Sequence, residues 1–205
     1  MKTKMKTKKG FTLLELLIVI GILAILSTTV VLVINPAQLL KKARDSQRIS
    51  DLNTLKTAIA YYITEAASPD IGAATTTYSY IANASCFGTA TGTGDGIATT
   101  DGNGWIPISF DNDLTGGSPI GSLPSDPNPT IATENPGHYY VYGVGDTTNL
   151  TFKLVANMES TYYSSGDSNV ESKDGGTEST LYEVGTDMTL TVATSDGNCY
   201  TGAGA

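Results

Sequence analysis

The pattern of apolar residues changes along the chain and predicts two successive helices. Residues 11–34, FTLLELLIVIGILAILSTTVVLVI, are almost continuously apolar. A helix of that length would be about 36 Å long, enough to cross a membrane. Residues 35–66 instead repeat apolar positions at intervals of three or four, which predicts an amphipathic helix continuing into a head. Its apolar stripe consists of Ile49, Leu52, Leu55, Ile59 and Tyr62.

The remainder, 67–205, is predicted to be an extracytoplasmic globular head. Residues 67–104 are rich in Gly, Ser and Thr and predict a loop-rich insertion, and 105–205 predict an antiparallel sheet. Clean alternation from Leu150 to Met158 predicts a half-buried strand, joined by a hairpin at 145–149 to the strand before it. The predicted strands are Trp105–Phe110, His138–Val144, Leu150–Met158 and Met188–Thr194.

Charge is distributed unevenly. Five of the 12 Lys and Arg residues lie in a basic leader, residues 1–10, before Phe11. From Ala66 onward there are 16 acidic residues against two lysines, a net charge of −14. The leader should keep the N-terminus cytoplasmic, so that everything after Ile34 is exported. The acidic head repels phosphate backbones and disfavours nucleic acid as a partner.

A small residue lies immediately before the apolar segment. An ordinary secretory signal instead has its cleavage site after the apolar segment. No convincing site of the ordinary kind occurs between Ser27 and Ala37, but Gly10 lies directly behind the lysines. Cleavage between Gly10 and Phe11 would remove the basic leader and leave the hydrophobic helix on the mature chain.

Glu15 is the single charged residue within the apolar segment. A carboxylate at the centre of a spanning helix costs about 2.5–3.5 kcal/mol on insertion scales, so a partner is expected. The nearest cation would be the α-amine of Phe11, created by cleavage, on the same or a neighbouring subunit. The alternative is a carboxylate that reaches the interface or is protonated.

The segment Lys9–Leu16, KGFTLLEL, closely resembles the prepilin processing motif of type IV pilins and type II secretion pseudopilins. The resemblance implies cleavage after Gly10 by a prepilin peptidase, which also N-methylates Phe11. It further implies that Glu15 pairs with the Phe11 amine of an adjacent subunit during assembly.

The same resemblance implies an α+β, pilin-like fold, in which a long N-terminal helix, half of it membrane-spanning, packs on a small antiparallel sheet with loop-rich insertions. The expected function is that of a structural subunit of a type IV pilus-like filament, not an enzyme. Alternatives are a major pseudopilin of a type II secretion system and a minor pilin for adhesion or DNA uptake. Partners would be further copies in a helical filament, the peptidase, an inner-membrane assembly platform and, before assembly, the membrane. The filament would be periplasmic or on the cell surface.

Two features of the second helix leave alternatives open. Pro36 predicts a kink or local melting, or else the first turn of a new helix. The basic residues Lys41, Lys42, Arg44 and Arg48 form either a solvated face or a surface for acidic neighbours or lipid headgroups.

Sites for covalent or metal chemistry are few. The two cysteines, Cys86 and Cys199, favour one disulfide in an exported protein, with two separate thiols as the alternative. The lone His138 has no nucleophile or zinc motif beside it, which favours a structural role. No cofactor is expected, although calcium at Asp167, Glu171 and Asp174 remains open.

Overall fold

The computed structural model describes residues 10–80, 97–129, 138–190 and 192. Contacts divide the chain into two units, Met1–Leu39 and Leu40–Ala205, and the second is called the globular unit below. In chain order, the elements are α1 Leu13–Ile34, α2 Pro36–Glu65, β1 Thr77–Ser79, α3 Phe110–Asp113, β2 Val141–Val144, β3 Phe152–Ala156, α4 Thr161–Ser164, a 3₁₀ turn Gly166–Ser168 and β4 Tyr182–Gly185.

Helix α1 is long and apolar enough to cross a membrane over Leu13–Val30. Its 22 residues correspond to about 33 Å of helix, close to the thickness of a hydrocarbon core. Its polar side chains at 27–29 turn back onto their own helix: the Ser27 hydroxyl, for example, donates to the Leu23 carbonyl at 2.7 Å. The helix therefore satisfies these hydroxyls without an outside partner.

The four strands form one antiparallel sheet in the order β1-β2-β3-β4. This sheet and the long apolar helix confirm the predicted α+β, pilin-like class. The predicted hairpin is present: β2 pairs with β3, and Gly145 N–H donates to the Thr151 carbonyl at 2.8 Å where the turn closes. Leu150 has a left-handed φ of 52°, which helps to reverse the chain.

Strand positions differ from the sequence prediction in three places. Strand β1 lies within the predicted loop-rich insertion, and β4 precedes the strand predicted at Met188–Thr194. At the start of that predicted strand Asp187 accepts the Thr189 N–H and forms a turn, and residues 191, 193 and 194 of the prediction lie outside the described residues. The strand predicted at Trp105–Phe110 is absent, apart from one bridge between Asp101 and Ser109, because Pro107 cannot donate to a ladder.

One face of the sheet and the stripe on α2 share the main hydrophobic core. Leu52, Leu55, Ile59 and Tyr62 of the predicted stripe are fully buried, whereas Ile49 is half-buried. They join the alternate β3 residues Phe152, Leu154 and Ala156 in one cluster, together with Trp105, Phe110, Tyr140 and Tyr142. The period of the stripe therefore corresponds to the buried side of the helix.

The strand predicted at Leu150–Met158 is present as β3, but the opposite face of the sheet is also covered, so the prediction that the strand is half-buried is wrong. Val155 packs with Val141, Leu181 and Val192 on this face. Lys153, two residues before Val155 and on the same face of β3, is fully buried. Gly143 makes room for this layer, because a Cβ there would lie 2.6 Å from a Val192 methyl carbon. All five residues of β3 are consequently buried.

Candidate functional site

Thr12 and Glu15 form a reciprocal cap at the start of α1. The Glu15 carboxylate accepts hydrogen bonds from the Thr12 N–H and hydroxyl, both at 2.8 Å. The Glu15 N–H donates in return to the Thr12 hydroxyl oxygen at 3.2 Å. This arrangement is a capping box, with Thr at the cap and Glu three residues later. Before any partner subunit is present, Glu15 is therefore already held by its own helix.

The predicted cleavage site lies just outside α1. Gly10 and Phe11 precede the first helical residue and have no regular secondary structure. Phe11 is 89% exposed, so the bond between them is open to a protease. The structure thus places Gly10, Phe11 and Glu15 within one short exposed segment at the beginning of the apolar helix.

The helical run is interrupted between α1 and α2. Asn35 adopts a left-handed conformation at φ 44°, and Pro36 is the first residue of the next helix. The Asn35 side-chain oxygen and carbonyl both accept the Gln38 N–H, at 3.4 and 3.0 Å. Proline at the first helical position loses no intrahelical hydrogen bond, since that N–H has no acceptor in a helix. These bounds correspond to a new helix starting at Pro36.

A buried cluster joins α2 to two distant segments of the globular unit. We call Arg44, Asp45, Arg48, Asp126 and Glu159 the arginine cluster. The fully buried Arg48 guanidinium donates to both Asp126 oxygens at 2.7 Å. It also donates to Asp45 at 2.7 Å and to Glu159 at 2.5 Å. Arg48 is therefore shared by three carboxylates.

The two remaining members of the cluster, Asp45 and Arg44, both contact the segment after β3. Asp45 accepts the backbone N–H groups of Glu159 and Ser160, at 2.9 and 2.8 Å. Arg44, with 29% of its side chain exposed, forms a two-pronged contact with Glu159 at 2.9 and 2.5 Å. The segment after β3 is thus fixed to α2 through both its side chain and its backbone.

The cluster shifts the pKa of its members strongly. Burial alone would raise the pKa of Glu159, but hydrogen bonds and charges from Arg44 and Arg48 lower it to about 2. Burial alone would lower the pKa of Arg48, but its three carboxylates raise it above the ordinary value. Both groups are therefore charged at neutral pH.

The predicted basic surface on α2 is thereby corrected for two of its four residues. Arg44 and Arg48 form ion pairs within the globular unit, so they do not contribute to a free basic face. Lys42 places its ammonium 3.4 Å from the centre of the Tyr162 ring, a cation–π contact. Lys41 and Lys42 are half-exposed.

A second buried ion pair lies on the far face of the sheet. The Lys153 ammonium is 2.7 Å from a Glu183 carboxylate oxygen, and neither side chain is exposed. It also donates to the Leu190 carbonyl at 2.6 Å and to the Thr177 hydroxyl at 3.1 Å. At the edge of the sheet, Asp174 accepts the backbone N–H of Glu183 at 2.6 Å.

Two of the three residues considered for calcium, Glu171 and Asp174, accept backbone hydrogen bonds with their carboxylates, whereas Asp167 accepts only through its backbone carbonyl, from Lys173, among the described contacts. Glu171 accepts the Met158 N–H at 3.1 Å, and Asp174 accepts the N–H groups of Gly176 and Glu183. Among the described residues, no group of three His, Cys, Asp or Glu side chains is placed to hold a metal ion. Calcium binding stays a prediction without a geometric counterpart in this part of the chain.

Glu171 is a buried carboxylate that, unlike Asp45, Asp126 and Glu183, has no ion pair with a described residue. Burial raises its pKa to about 7, aided by the charges of Asp45 and Asp174 and opposed by the hydrogen bond from Met158. At His138, burial and then the charge of Arg48 lower the pKa of the imidazole. Cys86 and Cys199 lie outside the described residues, and their predicted pairing stays a prediction.

Comparison with known proteins identifies the N-terminal segment. The family described as the prokaryotic N-terminal methylation motif matches residues 5–31. No curated protein and no solved structure matches the chain. The matched segment contains residues 5–10 of the predicted leader, the predicted cleavage site, the capping box and most of α1. This motif points to processing by prepilin peptidase and to a structural subunit rather than an enzyme. The N-terminal segment of this chain therefore carries the prokaryotic N-terminal methylation motif, the hallmark of type IV pilin and pseudopilin precursors.

Proposed function

We propose that this chain is the precursor of a structural subunit of a type IV pilus-like filament. Prepilin peptidase would cut between Gly10 and Phe11 and methylate the new amine. The mature subunit would leave the membrane through an assembly platform and pack its α1 helix among those of other copies. Identical contacts that repeat without closing generate a helical fibre.

The observation that carries this proposal is the exposure of α1 on all sides, directly after the processing motif. Leu16, Leu17 and Ile18 are each between 50% and 60% exposed, and as consecutive helical residues they lie on different sides of the helix. A helix that is apolar all round needs lipid or other protein around it. A membrane supplies the first surrounding, and α1 helices of other copies would supply the second.

Glu15 would act in the change from one surrounding to the other. In the single chain its carboxylate is bound by the Thr12 N–H and hydroxyl. Once cleavage creates the Phe11 amine, a neighbouring subunit offers this carboxylate a cation. Pairing would set the axial offset between two helices, since the charged groups must come within about 4 Å.

The first experiment tests processing and assembly together. The full chain is produced with a prepilin peptidase and an assembly platform, and the mature N-terminus is determined by mass spectrometry. The expected product begins at methylated Phe11, and sheared surface material contains filaments by electron microscopy. An intact leader, or cleavage beyond Ile34, would overturn the proposal.

The second experiment separates the charge of Glu15 from its role in the cap. Glu15→Gln keeps a side chain that can complete a capping box but removes the charge. Thr12→Val keeps the charge but removes the hydroxyl that caps the helix, at a cost of about 1 kcal/mol. We expect both variants to be cleaved, and filament yield to fall at least tenfold for Glu15→Gln but less for Thr12→Val. Normal filaments from Glu15→Gln would refute the role assigned to the charge.

Deletion of the gene distinguishes the pilus from related systems. Loss of surface filaments, with protein secretion intact, is the expected result. Loss of enzyme secretion would instead make the chain a major pseudopilin of a type II secretion system. Intact filaments that no longer adhere or take up DNA would identify a minor pilin.

A further inference from the structure

An open groove lies beside the exposed face of α2 in the globular unit, and we call it the α2 groove. Its volume is about 560 Å³. Helix α2 contributes five exposed residues to its lining, Ser50, Asn53, Thr54, Thr57 and Tyr61. Because these residues recur at intervals of three or four, they lie on one face of the helix.

The α2 groove is neutral, although the globular unit is acidic. None of the described residues that line it is charged. Helix α2 is described in full, and from Ala43 to Thr64 none of its exposed residues is charged either. The solvent side of a helix is ordinarily its charged side. From Ala66 onward, moreover, acidic residues far outnumber lysines. This face of α2 therefore has the character of a covered surface.

The polar side chains of the α2 groove already have hydrogen-bond acceptors. The Thr54 hydroxyl donates to the Ser50 carbonyl at 2.8 Å, and the Thr57 hydroxyl donates to the Asn53 carbonyl at 2.8 Å. The Asn53 amide donates to the Tyr182 hydroxyl at 3.1 Å. Burial of a polar group is costly when the group loses its hydrogen bonds. A partner can cover this wall and leave these hydrogen bonds intact.

Apolar side chains complete the lining of the α2 groove. Tyr61 is 44% exposed, and the half-buried Ile120 lines the groove from a separate segment and packs on the main core. Ala58 lines the groove with only 3% of its surface exposed. Small helical residues let the backbone of a second helix approach closely. The groove therefore suits an apolar helix with bulky side chains.

Helix α1 of another copy has the chemistry that matches this groove. From Leu16 to Ile34 it has no charged residue, and its large apolar side chains are exposed. A globular unit of another copy would instead bring further acidic charge to the contact, and like charges repel. Outside the membrane, a neutral groove and an apolar helix each remove the exposed surface of the other from water.

We propose that the α2 groove binds the α1 helix of another copy of this chain. Leu and Ile side chains of that helix enter the groove beside Thr57 and Tyr61. This inference rests on the proposed function, which brings copies of the chain together outside the membrane. It adds to the packing of α1 helices among themselves a contact between α1 and the globular unit of a different subunit.

Photocrosslinking identifies what occupies the α2 groove. The full chain, with a benzophenone amino acid in place of Tyr61, is produced with prepilin peptidase and an assembly platform. Sheared filaments are irradiated, and the linked peptides are identified by mass spectrometry. We expect links to residues between Leu16 and Ile34. The same replacement at Tyr162, which is 46% exposed on α4, is the matched control and should give at least tenfold fewer of these links.

A second copy with a conservative change shows which chain supplies the helix. An Ile22→Val copy, produced in equal amount, has an α1 peptide that is lighter by one methylene group. About half of the links from the Tyr61 position should go to this lighter peptide. Links to the unmodified peptide alone would show that the chain binds its own α1. That result, or links only to globular units, would overturn the inference.

A charge placed in the α2 groove tests the same contact without a crosslinker. Thr57→Lys puts a cation on this exposed wall and keeps a good helix former there. Burying that cation against an apolar helix is costly, so we expect filament yield to fall at least tenfold, with cleavage and Trp105 emission unchanged. Thr57→Ser, and Thr148→Lys in the exposed hairpin turn, should assemble normally. A normal yield from Thr57→Lys would overturn the inference.

Failure of this inference is distinguishable from failure of the proposed function. An unmodified chain that is cleaved and forms filaments, but gives no link from the Tyr61 position to α1, contradicts the groove contact alone. An unmodified chain that forms no filaments contradicts the proposed function, and the groove contact with it.

Discussion

Replacing Arg48 with alanine should lower the free energy of unfolding of the globular unit by about 3–5 kcal/mol. The guanidinium is fully buried and donates to Asp45, Asp126 and Glu159 at 2.5–2.7 Å. Its removal leaves three carboxylates close together without their central cation, and breaking a buried pair in this way has costs in that range. The Arg48→Lys variant keeps the charge but not the planar guanidinium, so its free energy of unfolding should lie between those of Arg48→Ala and the unmodified chain.

Urea unfolding of the mature chain in detergent micelles, followed by Trp105 emission, measures this loss. Trp105 is fully buried and donates to the Pro124 carbonyl at 3.1 Å, so its emission reports the core. Arg44→Ala is the matched control. It removes a partly exposed arginine from the same Glu159 carboxylate and should cost about 1 kcal/mol.

Acid provides an independent check of the same cluster. The pKa of Glu159 is lowered to about 2 in the folded chain, so its contribution is complete above its ordinary value of 4.5. That contribution is lost as the pH falls from 4.5 towards 2, and the Arg48→Ala variant should lose less over this range. A cost below about 1 kcal/mol for Arg48→Ala, or one equal to that of Arg44→Ala, would refute the reasoning.

Two further predictions concern the buried carboxylate and the sheet. The pKa of Glu171 is raised to about 7, so its contribution to stability is complete below 4.5 and is lost as the pH rises through 7. Glu171→Gln should therefore be more stable than the unmodified chain at pH 8 in urea unfolding. Substitution of the exposed Glu65 with Gln should leave the stability unchanged. A Glu171→Gln variant that is less stable than the unmodified chain at pH 8 would contradict the predicted direction. Gly185→Ala should lower the free energy of unfolding by at least about 1–3 kcal/mol, because its Cβ would meet the Phe152 backbone. Gly116→Ala has open space for its Cβ and should be neutral in the same assay. Equal stability of the two variants would contradict this contact.

Local sequence patterns predicted the parts of the fold that depend on neighbouring residues. The apolar run, the stripe on α2 and the hairpin after Val144 each follow from periodicity or turn chemistry within a few residues. The Thr12–Glu15 capping box carries an equally local signal, a Thr followed three residues later by Glu. The sequence analysis did not identify it because Glu15 was interpreted as a charge in need of a cation, the Phe11 amine, and not as a cap for its own helix.

The arginine cluster could not be predicted in this way. Arg48 is 78 residues from Asp126 and 111 from Glu159 in sequence, and no local pattern specifies which carboxylates will meet an arginine across such distances. The burial of Lys153 was also hidden, because a lysine between apolar residues ordinarily indicates a solvent-exposed face. Its partner Glu183 comes from β4, a strand that the sequence analysis did not place.

The hydrogen bond from Glu183 N–H to Asp174 has a consequence for crowding. Filament subunits reach very high local concentrations, where an open strand edge could pair with that of a neighbour and propagate as an aggregate. At this position on β4 a side chain of the same molecule already occupies the outward donor. A strand from a neighbouring molecule could pair with this edge only after displacing the Asp174 carboxylate. Association through the helices is therefore favoured over pairing between strands of different molecules.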